Sequence, residues 1–431
     1  MHRAPKPIVP RLSVIILCFT LAFAVAGYGQ SIAPVITVDH GPNSPQQLSK
    51  PYVILVSLDG FRYDYARRYH ADHLLALAAQ GASAPEGMIP AYPSITFPNH
   101  YTIVTGLYPE HHGIIANSFY DPARKATYNY GRDGDGTWYG GTPLWVLAEQ
   151  QGMRSASFFW VGSDSDIQGV RPTYYLKYDA SFPDAKRAEQ VLTWLRLPPE
   201  QRPHFITLYF SIADQAGHRY GPDSTQVADA VHELDGEIGK LMDGIKETKL
   251  AVDLIVLADH GMVKVEGPPI HLDQFGLNPS SFAAIVDNKL YPKSDGDAQK
   301  AYETLRGKSD KFVVYRRAQV PAYLHFDSNP REGDPVVVPS GPYLISPTAD
   351  PGAPQRATLG MHGCDTTRMP EMKAIFIAAG PDIRSGMTLE PFENVNVYPL
   401  IAKILGLDIT NLKTGPIDGK LDVLEKMLKT K

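Results

Sequence analysis

Tyr52-Val53-Ile54-Leu55-Val56-Ser57-Leu58 is an almost unbroken apolar run, rich in β-branched residues, and it stops abruptly at Asp59-Gly60. A strand with one wet face alternates apolar and polar residues. A continuous run instead suits a strand covered on both faces. The same grammar recurs along the chain. Ser155 to Val161 ends in Gly162-Ser163-Asp164, and His204 to Phe210 runs on to Asp214 and His218. Asp253 to Ala258 ends at Asp259-His260-Gly261, and Lys373 to Ala379 ends at Gly380-Pro381. Helical periodicity lies between these runs. It spans roughly Tyr65 to Gln80, stopped by Gly81, and Ser224 to Glu247, where Val227, Val231, Leu234, Ile238, Leu241 and Ile245 form one apolar stripe. Strands alternating with helices predict an α/β fold, a mostly parallel central sheet with helices on both faces. In such sheets ligands bind beyond the carboxyl ends of the strands. Three of the runs deliver Asp or His there.

The chain has 431 residues, 43% of them hydrophobic and 20% charged, enough for a large core. Arg3, Lys6 and Arg11 precede the apolar run Leu12 to Ala26, which ends in the small residues Ala24-Val25-Ala26. Residues 1–26 therefore read as a cleaved signal peptide, the apolar run being shorter than the ~20 residues of a membrane span. No stable membrane anchor is expected. Residues 27–50, rich in Pro, Gln, Ser and Asn, read as a flexible lead-in. One domain is expected over 51–420. Within it, about 262–372 includes a smaller inserted α+β lobe, where Phe312 to Tyr315 and Ala322 to Phe326 read as short strands. Cys18 falls in the leader, so the mature chain keeps Cys364 alone and can form no internal disulfide. Export without disulfides points to a bacterial periplasm or to secretion. Without the three leader cations the chain carries 38 basic against 46 acidic residues, a net charge of about −8. No basic run marks a nucleic-acid duplex as a partner. An anionic substrate must then be met by a local positive charge, which a metal supplies.

Pro93-Ser94-Ile95-Thr96-Phe97-Pro98-Asn99-His100 places a hydroxyl just before a proline and a helix start. The free N–H groups of a first turn welcome an anion, so Thr96 suits a nucleophile attacking phosphorus or sulfur. The blander alternative is a capping threonine. The candidate metal ligands are Asp59, Asp214, His218, Asp259, His260 and His362. Carboxylate and imidazole together suit zinc, and six ligands exceed one tetrahedral ion but divide between two Zn2+. A two-metal site clamps the attacking and leaving oxygens of an in-line displacement.

Further stretches carry a resemblance: Leu58 to Arg62, Pro93 to His100, Gly106 to Ile114, Asn117 to Pro122, Pro143 to Trp145, Arg202 to Phe205, Asp214 to Pro222, Ala258 to Met262, His362 to Asp365 and Phe392 to Val395. With them the chain resembles the nucleotide pyrophosphatase/phosphodiesterases of the alkaline phosphatase superfamily, of bacterial type, over nearly everything from Pro51 to Leu407. The resemblance implies two zinc ions, with Asp59, Thr96, Asp259 and His260 around one and Asp214, His218 and His362 around the other. It implies that Thr96 attacks through a phosphothreonine intermediate. Asn117 and the backbone N–H of Phe97 would bind the phosphoryl oxygen. Phe97 and Tyr175, with Tyr174 as the nearby alternative, would hold a base, so that nucleotide diesters or pyrophosphates yield nucleoside 5′-monophosphates. The rival readings are a lysophospholipid or choline phosphodiesterase of the same family, a monoesterase of the superfamily, and a non-catalytic periplasmic protein that binds metal or nucleotide.

Overall fold

The computed structural model describes residues 33–130, 134–349 and 358–430, so the expected signal peptide lies outside the described residues. Nine strands form one sheet: β1 Ile36–Thr37, β2 Tyr52–Leu58, β3 Ala82–Ser83, β4 Ser155–Phe158, β5 Tyr174–Leu176, β6 Phe205–Phe210, β7 Val252–Leu257, β8 Phe376–Ala379 and β9 Met387–Thr388. Their spatial order is β1-β5-β4-β6-β2-β7-β8-β3-β9. The block β5-β4-β6-β2-β7 is parallel throughout. β8 runs antiparallel to β7, and β1 antiparallel to β5. Every residue of β2, β4, β6, β7 and β8 is buried, the mostly apolar side chains together with Ser57, Ser155, Ser157, Thr207 and Asp253.

The helices cover both faces. Asp72–Gln80 (α1), Ala185–Leu195 (α2) and Thr225–Thr248 (α3) pack as one layer. Ser224 caps the long α3 by accepting a hydrogen bond from Val227 N. Thr96–Thr105 packs with Val397–Leu405. No helix among the described residues is long and apolar enough to cross a membrane.

Three expectations are corrected. The periodicity from Tyr65 to Gln80 is broken: a short helix at Tyr65–Arg68 ends before α1 because His70 adopts a left-handed backbone, φ +54°. Ala322–Leu324 is a 3₁₀ turn rather than a strand, closed by His325 at φ +48°. The lead-in is packed rather than loose over its described part. β1 extends the sheet edge, and Asn43 is buried, its amide donating to the carbonyls of Pro199 and Arg202 while its oxygen accepts from Arg154 N. At the other end the body continues past residue 420, with Leu424 and Met427 in the main core. In the inserted stretch, Ile270, Leu290, Leu305, Phe312 and Val337 belong to a second, smaller core, served by the hairpins Phe282–Val286/Lys289–Pro292 and Phe312–Tyr315/Val336–Pro339.

Candidate active site

β6, β2 and β7 are immediate neighbours, with Leu58 opposite Phe210 and Ser57 opposite Leu257. Their carboxyl ends therefore stop side by side, which brings Asp59, Asp214 and Asp259 together although they are far apart in sequence. Gly60 makes this approach possible. It sits at φ +68°, and a Cβ there would lie 2.9 Å from Asp214 Cα.

Three imidazoles close the cluster, and each is oriented from behind. Nδ1 of His260, His218 and His362 lies 2.9, 2.8 and 3.1 Å from the carbonyl oxygens of Gly261, Gly360 and Ser94. A carbonyl only accepts, so each Nδ1 carries a proton and each ring turns its Nε2, an acceptor when the ring is neutral, toward the cluster. Burial opposes the charge on His260, but Asp259 and Asp214 outweigh it and raise its pKa. Two of these acceptors, on His362 and His218, face each other at 3.1 Å. The carboxylates show the same want of a donor. Oδ1 of Asp59 and Oδ1 of Asp214 are sealed from solvent with no hydrogen-bond partner, and Asp259 Oδ2 meets only the imidazole nitrogens of His260 and His100, at 3.0 and 3.3 Å. Buried groups left this way are costly. Burial and then the charges of Asp259 and Asp214 push the Asp59 carboxyl well above the usual range. Burial opposes the ionisation of Asp259 as well, but the imidazoles of His260 and His100 hold it well below that range. Burial, with His260 and His218 beside it, drives His362 well down.

This donor set fits cations, and with no thiolate in it, it fits zinc. Ligand atoms of Asp214, His218 and His362 lie within 4.8 Å of one another, as do those of Asp59, Asp214 and His260. Asp214 thus stands between the two groups. Asp259 borders the second, with Oδ2 3.0 Å from His260 Nε2. Thr96 faces the same nitrogen, Oγ1 to Nε2 at 3.3 Å. Thr96 is the first residue of the helix Thr96–Thr105 (from here α-N), after the extended Ile95. The N–H of Phe97, free of the helix ladder, donates to Asn117 Oδ1 at 3.0 Å.

The type I phosphodiesterase/nucleotide pyrophosphatase family model matches residues 53–365. The chain belongs to this family. It is 34% identical over 412 residues to a pyrophosphatase/phosphodiesterase of Schizosaccharomyces pombe, covering 90% of this chain and 84% of that one. It is 35% identical over 407 residues to human ectonucleotide pyrophosphatase/phosphodiesterase family member 1, of whose length it spans only 43%. Murine ectonucleotide pyrophosphatase/phosphodiesterase 5 superposes with a TM-score of 0.80 at 29% identity, over 88% of this chain and all of that one. An inactive threonine-to-alanine variant of the murine protein has been solved in complex with AMP at the same similarity.

For this family member the candidate residues Asp59, Thr96, Asp214, His218, Asp259, His260 and His362 come together, with Asn117 and Phe97 at the same helix start. Tyr175 does not join them. It lies within β5, is 6% exposed, and pairs with Ile36 on the sheet edge. Tyr174 turns away, its ring against Trp194 and its hydroxyl donating to Gln201 O. The open aromatic on that side is Tyr178, 52% exposed, with its ring 6.3 Å from that of Tyr209. The signal for it was available: β5 ends at Leu176, so Tyr178 stands just past the carboxyl end of a parallel strand. Sequence reading also missed Tyr130, 60% exposed with its ring 5.6 Å from Phe97. It missed two supports as well. The Tyr209 hydroxyl donates to Asp59 Oδ2 at 2.5 Å, and Ser94 Oγ donates to Cys364 O, tying the loop before Thr96 to the loop of His362.

Proposed function

We propose that this chain hydrolyses phosphodiester and pyrophosphate bonds of nucleotides, releasing nucleoside 5′-monophosphates, with Thr96 as nucleophile and two zinc ions as resident metals. The observation that carries the reading is the convergence of imidazole Nε2 atoms and buried carboxylate oxygens in two groups, with the Thr96 hydroxyl beside His260 at a helix start. Asp59, Thr96, Asp259 and His260 would hold one ion and Asp214, His218 and His362 the other. When bound, such ions lower the pKa of a coordinated hydroxyl and offset charge on phosphoryl oxygens.

The chain's own residues supply the rest. Thr96 Oγ1 attacks phosphorus in line with the leaving ester oxygen, forming a phosphothreonine, and water then cleaves that ester to return the hydroxyl. The Phe97 N–H holds Asn117 by its Oδ1, and the Asn117 amide, aided by that N–H, would donate to a non-bridging oxygen as charge builds there. Support for Thr96 comes from the murine relative, which a threonine-to-alanine change makes inactive. Its AMP complex supports a nucleotide substrate, and Phe97, Tyr130 and Tyr178 offer ring surface for a base.

A diester fits better than a monoester. The match of the type I phosphodiesterase family model over residues 53–365 supports that choice. The export pattern at residues 1–26 fits action in a periplasm or as a secreted enzyme. The test is a parallel set of rates on a nitrophenyl ester of thymidine 5′-monophosphate, a nitrophenyl phosphorylcholine, a lysophospholipid and nitrophenyl phosphate. The nucleotide ester is expected to be fastest. Preference for the choline or lipid substrate would move the activity to that branch, and no turnover of any would leave a binding protein.

A further inference from the structure

One buried side chain touches the backbone of the nucleophile, a carboxylate of the cluster and the strand that carries another. His100 lies one helical turn after Thr96 and is fully buried. Its Nδ1 is 2.9 Å from the Thr96 carbonyl oxygen and 3.3 Å from Asp259 Oδ2. Its Nε2 is 2.8 Å from Ser57 Oγ, two residues before Asp59 on β2. Because a carbonyl only accepts, Nδ1 is the protonated nitrogen and Nε2 accepts from the serine hydroxyl. The ring is clamped edge-on by Trp160 and Tyr209, at 5.0 and 5.2 Å, and Trp160 Nε1 donates to the His100 carbonyl at 3.0 Å.

We propose that His100 is a positioning residue for the reaction read above, on which this inference rests. Its Nδ1–H holds the first turn of α-N against Asp259, so that Thr96 Oγ1 keeps its place beside His260. Its Nε2 takes the Ser57 hydroxyl, which pins the ring's tautomer and ties that register to β2 and Asp59. No proton or covalent bond moves at His100 during turnover. A displacement of the nucleophile by about 1 Å costs rates on the order of 10²-fold.

The chemistry of the side chain sets the test. An asparagine amide nitrogen falls close to the position of Nδ1, whereas a glutamine amide falls close to Nε2. His100→Asn is therefore expected within about tenfold of wild-type kcat on the nucleotide ester. His100→Gln and His100→Ala are expected to lose on the order of 10²-fold in kcat, with KM within about threefold. Zinc content after dialysis and melting temperature, measured on the same samples, should be alike for His100→Asn and His100→Gln. Ser57→Ala is expected to cost about 3- to 10-fold in kcat alone and nothing further when added to His100→Asn, because both act through one ring. Equal damage by Asn and Gln, a loss that tracks zinc content or melting temperature, or additive Ser57 and His100 effects would overturn the positioning role while leaving the function intact. A wild type that turns over no diester overturns the functional reading and this role with it.

Discussion

At the residue scale, the proposed reaction turns on one atom, Thr96 Oγ1. Thr96→Ala should lose at least 10³-fold in kcat, more than about 4 kcal/mol of barrier, while Thr96→Ser keeps a hydroxyl and measurable turnover. Rapid acid quenching of the serine and wild-type enzymes with labelled ester should leave label on residue 96. An alanine variant within tenfold of wild type would make water the attacking group. Asp59, Thr96, Asp259 and His260 were legible because each sits at a punctuation mark, a strand end with a glycine close behind or a helix start with a proline in its first turn, whereas Asp214 and His218 ride on the helix Ile212–Tyr220. Tyr178 was not legible by that route. Aromatic rings close in sequence differ only in which way the backbone turns them, and one residue past a short strand decides exposure. Base–aromatic stacking is worth ~1–3 kcal/mol, so Tyr178→Ala should lower kcat/KM for the nucleotide ester by about 5- to 150-fold. Tyr175→Phe should stay within about twofold of wild type, since its ring is covered by the sheet edge. The comparison is made against a small aryl methylphosphonate ester, which has no base and should respond little to either change.

At the element scale, the strand-to-turn junction and the inserted hairpins make separate claims. Gly60→Ala adds a methyl where the backbone is left-handed and Asp214 Cα would be only 2.9 Å away. The variant should bind less zinc and lose most activity, because Asp214 must retreat from the cluster, and zinc content per chain reads this directly. Matching content would mean that the turn yields instead. The buried strands were easy to read because their sequences are apolar on both faces. The breaks at His70 and His325 were invisible, because a left-handed histidine carries no apolar period to announce it. The turn Pro330–Glu332 holds a different liability. Glu332 is buried, both its oxygens lack partners, and burial, with Glu110 nearby, raises its pKa to about 8. The unfolded chain releases this proton near pH 4.5 and the folded chain only near pH 8. Stability therefore falls as pH rises through that window. Glu332→Gln should remove the loss, stabilising the protein at pH 8 by an amount of order a few kcal/mol at most, with the gain vanishing below about pH 4.5. Urea unfolding at both pH values checks the sign. A gain equal at both would place the effect in packing rather than in the proton.

At the scale of the whole molecule, the fold is a device for bringing acids together. The parallel order β6-β2-β7 follows from strands alternating with helices, and it makes the meeting of Asp59, Asp214 and Asp259 a consequence of topology rather than of local sequence. The packed lead-in escaped the sequence because its polar residues serve as hydrogen-bonding struts: Asn43 looks like linker composition, and its burial depends on Arg154 and Arg202, more than a hundred residues away. A chain that buries partnerless carboxylates should be incomplete without metal, and stability should report this separately from catalysis. Zinc at a hundredfold excess over its dissociation constant stabilises the folded state by about 2.7 kcal/mol, provided the unfolded chain does not bind it. Dialysis against a strong chelator should therefore lower the melting temperature and abolish turnover together, and zinc should restore both. Thr96→Ala separates the two effects. It lacks the hydroxyl but keeps Asp59, Asp214, His218, Asp259, His260 and His362, so it should stay inactive while its melting temperature still rises with zinc. Chelation that removes activity without moving the melting temperature of either protein would place the essential metal elsewhere, and chelation that changes neither would mean that the buried acids are served by protons alone.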